Sequence, residues 1–380
     1  MDFSLTQDQE MFRDMLRGFV SKEIEPYAQE WDETNEFPYE TLRKMAEVGI
    51  CGVRFPEEYG GSDGGELSFV IAVEGISRGS AGLGAIYFVN LGLAMHPITM
   101  FGNAAQKGEY IPKIVNGGVA CFGLTEASAG SDVAVLTTGY KKKDGHYVLN
   151  GTKIFITNGA EADFALVFAT RDKSQGHRGI SAFVVDRGTP GFEVGKHEKK
   201  MGIHPASATE LVFEECEIPE SNLVGKEGDG FKVAMSSIDA SRVSVAAQAV
   251  GIAQAAFDAA VGYSKERVQF GKELARMQAI QWMIADMATE LDAARLVTYR
   301  AAWLADNGHD CIKESAMAKL FASETSHRIC HKAQQIFGGY GYVKEFPVER
   351  YARDQRITEI YEGTSEMQRW TIARQVLGVK

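Results

Sequence analysis

The spacing of apolar positions divides the chain into three textures. Up to about residue 120 it is helical: Phe12, Met15, Leu16, Phe19 and Val20 repeat at helical intervals. They follow Thr6 and Gln9, a pair that reads as a capping box opening a helix. Glycine pairs at 60–61 and 64–65 then break the pattern before a long apolar run. From Gly79 to Gln106 there is no Asp, Glu, Lys or Arg. A bilayer span is excluded because Pro97 would break it and Asn90, His96 and Asn103 interrupt it, so the run predicts buried core.

From about Cys121 to Gly230 the period shortens. Tyr147–Leu149, Ile154–Ile156, Ala165–Ala169, Ile180–Val185 and Thr209–Phe213 read as strands, with turn signals at Asp144-Gly145, Asn150-Gly151 and Asn158-Gly159. A small antiparallel sheet, closed as a barrel or stacked as a sandwich, is expected. Between Pro219 and Pro347 there is no proline, which suits long helices. Ala246, Val250, Ala253, Phe257 and Val261 mark one apolar face, and Met283, Met287, Leu291 and Ala294 another. The expectation is an α+β chain with a helical domain over 1–120, a central antiparallel β domain over 121–230 and a helical bundle over 231–380. Helices, strands and helices in segregated blocks argue against alternating βαβ units.

Composition narrows the function. Of 380 residues, 40 are Lys or Arg and 51 Asp or Glu, a net charge of −11 that does not suit a dedicated nucleic-acid binder. Five scattered cysteines without a C-x-x-C favour reduced thiols in a cytoplasmic setting, and the opening Met1-Asp2-Phe3-Ser4 shows no leader pattern. Gly82-Leu83-Gly84 lacks the preceding strand of a dinucleotide site. Gly338-Gly339-Tyr340-Gly341 reads as a helix stop. His327 and His331 have a metal-compatible spacing, but Arg328 and Lys332 sit beside them and no metal is expected.

Two segments carry candidate chemistry. Gly123 to Asp132 concentrates small residues and hydroxyls where helices give way to strands, suiting close approach of a ring or phosphate or, equally, a polar surface loop. Ile360-Tyr361-Glu362-Gly363-Thr364-Ser365-Glu366 places a carboxylate beside apolar residues, just before a helix that Ser365 and Gln368 would cap. Such neighbours would desolvate Glu362 and raise its basicity.

Together with Asn150-Gly151-Thr152-Lys153-Ile154-Phe155-Ile156-Thr157-Asn158-Gly159, Arg267-Val268-Gln269-Phe270-Gly271-Lys272, Gln335-Ile336-Phe337-Gly338-Gly339-Tyr340-Gly341 and Arg353-Asp354, these segments make the chain resemble the acyl-CoA dehydrogenase family of flavoproteins. The resemblance runs over essentially its whole length. It implies the three-domain fold, ending in a four-helix bundle, with FAD between the β domain and the bundle. It also implies a homotetramer built as a dimer of dimers, an acyl-CoA substrate and electron delivery to an electron-transferring flavoprotein. By matched position, Phe122, Thr125, Gly130, Ser131, Phe155, Ile156 and Thr157 would line the flavin, completed by Thr364 and Glu366. Arg267, Phe270 and Gln278, with Gln335 and Gly339 of a neighbouring subunit, would hold its pyrophosphate and adenosine end. Ser131, Asp239, Arg242 and Gly363 would contact the CoA thioester.

Glu362 would remove the α-proton while a hydride leaves the β-carbon for the flavin. Relatives with the base on a bundle helix carry it where this chain has Ser241. The substrate expected is an uncharged short to medium acyl-CoA, branched or alicyclic ones included, because the Gly79–Gln106 wall offers no cation. The alternatives are an oxidase that uses O₂, an enoyl-CoA reductase working in reverse, and a non-catalytic CoA- or protein-binding member.

Overall fold

The computed structural model describes residues 4–379; Met1, Asp2 and Phe3, read above for a leader, and Lys380 lie outside them. The Thr6–Gln9 capping box forms reciprocally: Thr6 Oγ1 accepts from the Gln9 N–H at 3.3 Å, and Gln9 Oε1 from the Thr6 N–H at 3.0 Å. It opens α1 (Gln7–Glu23), which buries Leu16 and Val20. The helical domain continues through α2 (Ala28–Thr34), α3 (Tyr39–Glu47), α4 (Gly65–Gly79), α5 (Ala81–Phe88), α6 (His96–Phe101) and α7 (Ala104–Val115). A π-helical turn, Val89–Ala94, joins α5 to α6, and Pro97 falls in the first turn of α6, where its missing N–H costs nothing. The uncharged run is buried almost throughout, so its length and apolarity serve packing inside the fold.

The strands are β1 (Ala120–Gly123), β2 (Gly139–Lys143), β3 (His146–Thr157), β4 (Phe164–Thr170), β5 (Ile180–Asp186), β6 (Phe192–His197), β7 (Ala208–Pro219) and β8 (Leu223–Val224). They form one sheet ordered β6-β7-β3-β2-β4-β5-β8, with β1 added alongside β4. The sheet departs from the expectation of purely antiparallel pairing: β1 runs parallel to β4, and Gly139 of β2 meets Thr170 of β4 in parallel. Both joins follow long connections that return the chain in its original direction. The Asp144-Gly145 turn closes the β2–β3 hairpin with φ of 41° and 85°, as a two-residue primed turn requires. Asn150-Gly151 does not turn the chain. It is a bulge within the single long strand β3, where Gly151 has φ 144° and an added Cβ would lie 2.7 Å from Thr138.

Beyond the sheet, α8 (Gly230–Glu266) leads through the small β9–β10 hairpin (Val268–Gln269, Lys272–Glu273) to α9 (Gln278–Asp306) and α10 (Ile312–Phe337). After α11 (Val348–Gln355), the chain ends in α12 (Ser365–Leu377). Helix α10 packs on α8, α9 and α12, giving the expected four-helix core. The bundle is joined to the N-terminal domain by a shared cap. Asp306, the last residue of α9, accepts from the Glu66 and Leu67 N–H groups at the start of α4, at 2.6 and 2.9 Å. Removing it leaves two helix donors unmatched, a loss of about 1 kcal/mol. Asp306→Ala should therefore speed amide exchange in the 65–70 segment roughly fivefold, read by mass spectrometry. Unchanged protection there would show that α4 does not depend on this cap.

Candidate active site

The loop before α12 carries two consecutive left-handed residues, Glu362 at φ 51° and Gly363 at φ 86°. The first is costly for a residue with a Cβ, and such strain persists only where surrounding contacts hold it. Helix α12 is capped one residue earlier than the sequence suggested. Thr364, not Ser365, accepts from the Met367 N–H, because Ser365 is already in the first helical turn. Gln368 is thereby released from capping. Its Nε2 turns back and donates to the Gly363 carbonyl at 2.7 Å and to the Glu362 carbonyl at 3.3 Å.

Burial pushes the Glu362 carboxyl from 4.5 up to about 7, opposed by the Lys319 ammonium and weakly by Ser241. Ser241 Oγ lies 3.4 Å from Glu362 Oε2, but its nearer acceptor is the Ile238 carbonyl at 3.0 Å. Tyr361 sets the apolar side: its ring meets Phe88 edge-on at 5.7 Å, and its hydroxyl donates to Gln248 Oε1. Gln248 is fully buried and donates onward to the Ala81 carbonyl at 3.0 Å. On α8, Arg242 Nη1 pairs with Asp239 at 2.9 Å, while its buried Nε has no protein partner.

A second cluster gathers around β1 and β3. Phe122 in β1 packs against Phe168, and the following loop is held by Glu126, which the sequence reading did not single out. Its buried carboxylate accepts from Lys153 Nζ at 2.7 Å, from the Thr137 N–H and hydroxyl at 2.6 Å each, and from the Thr138 N–H at 2.9 Å. Desolvation alone would raise it, but Lys153 and these donors hold it down at about 2. Its only sequence signal was its position inside the 123–132 segment, as that of its partner Lys153 was inside 150–159.

The Thr125 carbonyl accepts from the Ile154 N–H, bringing the loop onto β3. There a second bulge between Lys153 and Ile156 gives Phe155 a φ of 58° and leaves its ring 60% exposed beside buried Ile156 and half-buried Thr157. Gly130 and Ser131 are exposed at the loop tip, and nothing lies within 4 Å of a Cβ built on Gly130.

A third group lies apart. Arg267 sits over the Tyr340 ring at 5.4 Å and lines a cleft of about 760 Å³ with Gly338 and Gly339. The sequence reading assigned Arg267 and Gly339 to different subunits. Within one chain the two also line the same cleft, because the β9–β10 hairpin after α8 folds beside the end of α10. This cleft shares no lining residue with the Glu362 loop or the 122–131 loop. Phe270 is 94% exposed at φ 52°. Gln278 and Gln335 are exposed on α9 and α10, and of the two α12-end residues Thr364 is half-buried and Glu366 exposed. His327 and His331 are also exposed, and among the described residues no group of three or more His, Cys, Asp or Glu could hold a metal ion.

Family models for the acyl-CoA dehydrogenase N-terminal, middle and C-terminal domains match residues 6–118, 121–216 and 228–377. The chain is 48% identical to an acyl-CoA dehydrogenase of Bacillus subtilis, over 98% of its length and 99% of the relative's. It is equally 48% identical to an acryloyl-CoA reductase (NADH) of Anaerotignum propionicum, covering 99% and 96%. Among solved structures it matches butyryl-CoA dehydrogenase of Megasphaera elsdenii with TM-score 0.97 and 44% identity, over 99% of this chain and 100% of that one. A structure described under the electron transferring flavoprotein of Acidaminococcus fermentans matches with TM-score 0.98 and 49% identity, over 99% and 100%.

The raised Glu362 carboxyl has a measurable consequence for stability. Its folded value of about 7 exceeds the ordinary 4.5, so the stability tied to its protonated form is complete below about pH 4.5 and is lost as pH rises through 7. Glu362→Gln mimics the protonated form. By calorimetric melting, the variant should match the parent near pH 4 and melt higher near pH 8. An identical difference at both pH values would mean that Glu362 is not desolvated.

Proposed function

The chain belongs to the acyl-CoA dehydrogenase family, and on that premise we propose that Glu362 is the base of its FAD-dependent oxidation of the CH–CH bond beside a CoA thioester. The family's architecture and cofactor are those of this chain. The residues present fit FAD. An exposed aromatic ring at Phe155 in a strained backbone, open space over Gly130 and the hydroxyls of Thr125, Ser131 and Thr157 suit a planar polar ring. Arg267, stacked on Tyr340 in an open cleft, suits a pyrophosphate or adenine. FAD supplies the hydride acceptor.

The observation that carries the assignment of the base is a carboxylate raised to about 7 by burial, on a clamped loop, with Ser241 at the alternative position. A carboxylate in water is far too weak to ionise a thioester α-carbon. Desolvation strengthens it, and substrate binding that displaces water strengthens it further. Thioester binding would fall to Ser131, Asp239, Arg242 and Gly363, with the unpartnered Arg242 Nε the donor in need of an acceptor. Electron delivery to an electron-transferring flavoprotein is supported by the Acidaminococcus structure's description. A dimer of dimers is supported by the exposed Trp282, Trp303 and Trp370 on the bundle helices and by the separation of the Arg267 cleft from the other two clusters. Five free thiols, four of them buried, fit a reducing, cytoplasmic setting.

The substrate is read as a short, uncharged acyl group, branched or alicyclic ones within range. Behind Glu362 the Tyr361–Gln248–Ala81 hydrogen-bond chain closes the wall. At Gly92 a Cβ would meet the Phe69 ring at 3.1 Å. Arg54 does reach the Leu91 carbonyl at 3.4 Å, but Glu66 already neutralises it at 2.9 Å. A substrate carboxylate would be buried unpaired, at a cost of several kcal/mol. Uncharged short esters should therefore bleach the flavin faster than glutaryl-CoA in anaerobic titrations; the reverse order would sink the reading. Glu362→Gln should keep bound FAD and CoA-ester affinity yet lose at least ~10³-fold in flavin reduction. In the parent, the rate should climb as pH rises through about 7, because the base works deprotonated. Near-normal reduction by the Gln variant would place the base elsewhere.

A further inference from the structure

Lys319 lies in the first third of α10 and is fully buried. A buried lysine without a carboxylate in hydrogen-bond contact is costly, and this one spends its Nζ on a single acceptor among the described residues, the Gly363 carbonyl at 2.6 Å. That oxygen also receives Gln368 Nε2 at 2.7 Å. Two donors from two helices thus fix the peptide after Gly363, holding both left-handed residues in place. Gly363 is required there, since a Cβ would lie 2.9 Å from Gln368 Nε2. From these contacts we propose that Lys319 is a positioning residue for the Glu362 base: its ammonium clamps the Gly363 carbonyl, fixes where the carboxylate points and stabilises the ionised base through space. The inference rests on Glu362 being the base.

The charges around Lys319 leave that role to it. From α8 comes Arg242, paired with Asp239 at 2.9 Å. From the turn before the loop comes Glu359, paired with Arg356 at 3.0 Å, and from α12 comes Glu366. Desolvation depresses Lys319 to about 7, with Glu362 the largest influence in the other direction. Lysine and glutamate are thus electrostatically coupled, each favouring the charged form of the other. Removing the lysine charge must raise the carboxyl further, because the strongest group opposing its desolvation is gone.

The test uses FAD-loaded enzyme, anaerobic flavin reduction by butyryl-CoA and a pH series. Lys319→Met, similar in length but without donors, should fall at least ~10-fold near pH 7 and move the ascending limb upward by about one unit. Lys319→Gln retains an amide donor without charge. It should keep the displaced limb while recovering part of the plateau lost in the Met variant. A merely structural lysine would lower the plateau and leave the limb in place, so an unmoved limb in either variant overturns the proposal. If Glu362→Gln reduces flavin normally, the base assignment fails first; if only the Lys319 limbs stay fixed, the base stands and the clamp falls.

Discussion

The structure is organised around keeping one carboxylate dry and strained without letting it collapse. Glu362 combines two unfavourable conditions, a left-handed backbone and burial that lifts its carboxyl to about 7. Either would relax if the loop were free. It is not free because α10 and α12 both donate to the next carbonyl, Thr364 caps α12, and Tyr361 is wedged against Phe88 and bonded to Gln248. The long helices are therefore the frame that makes a strained, buried carboxylate tolerable, and the N-terminal domain contributes Phe88 to the apolar side of the loop through its edge-on contact with Tyr361.

The same tactic recurs at the β domain with the opposite electrostatic result. Glu126 is as buried as any core residue, yet it stays ionised near 2, because Lys153 and three donors from Thr137 and Thr138 satisfy it. Burial alone does not set a carboxyl's basicity; the number and charge of its donors do. Glu126 holds a loop, and its low value keeps that lock closed at any ordinary pH. Glu362 has one weak donor and a lysine that touches its neighbour instead of itself, which leaves it poised.

Much of this was legible in the sequence where the signal is local. The Thr6–Gln9 box, the Asp144-Gly145 hairpin, the Gly338 helix stop and the uncharged buried run all depend on neighbours within a few residues. Local signals failed where tertiary contacts decide. Asn150-Gly151 has the letters of a turn, but pairing with β2 and β7 on both sides keeps the strand running and turns the glycine into a bulge. Ser365 and Gln368 have the letters of a capping box, but the carbonyls behind Glu362 claim the glutamine. Lys319 stands 44 residues from Gly363 in a helix whose pattern gives no reason to expect a buried cation.

The placement of the three clusters follows from the same division of labour. A rigid ring is best met by fixed surfaces, and on the proposed assignment the β domain would provide them through two bulges in β3 that turn Gly151 and Phe155 out of the strand's hydrogen-bonding rhythm. A flexible nucleotide end can be met by more open groups, and on the same assignment these would be exposed Phe270 and Gly339 with half-buried Arg267 at the end of α8. Chemistry needs the one element with the least freedom, and on the proposed assignment it would fall on the loop with donors from two helices. Such an arrangement, loose at the cofactor's far end and tight at the carboxylate, would localise preorganisation where charge develops. That is where a hydrogen bond lost to misalignment costs most in rate.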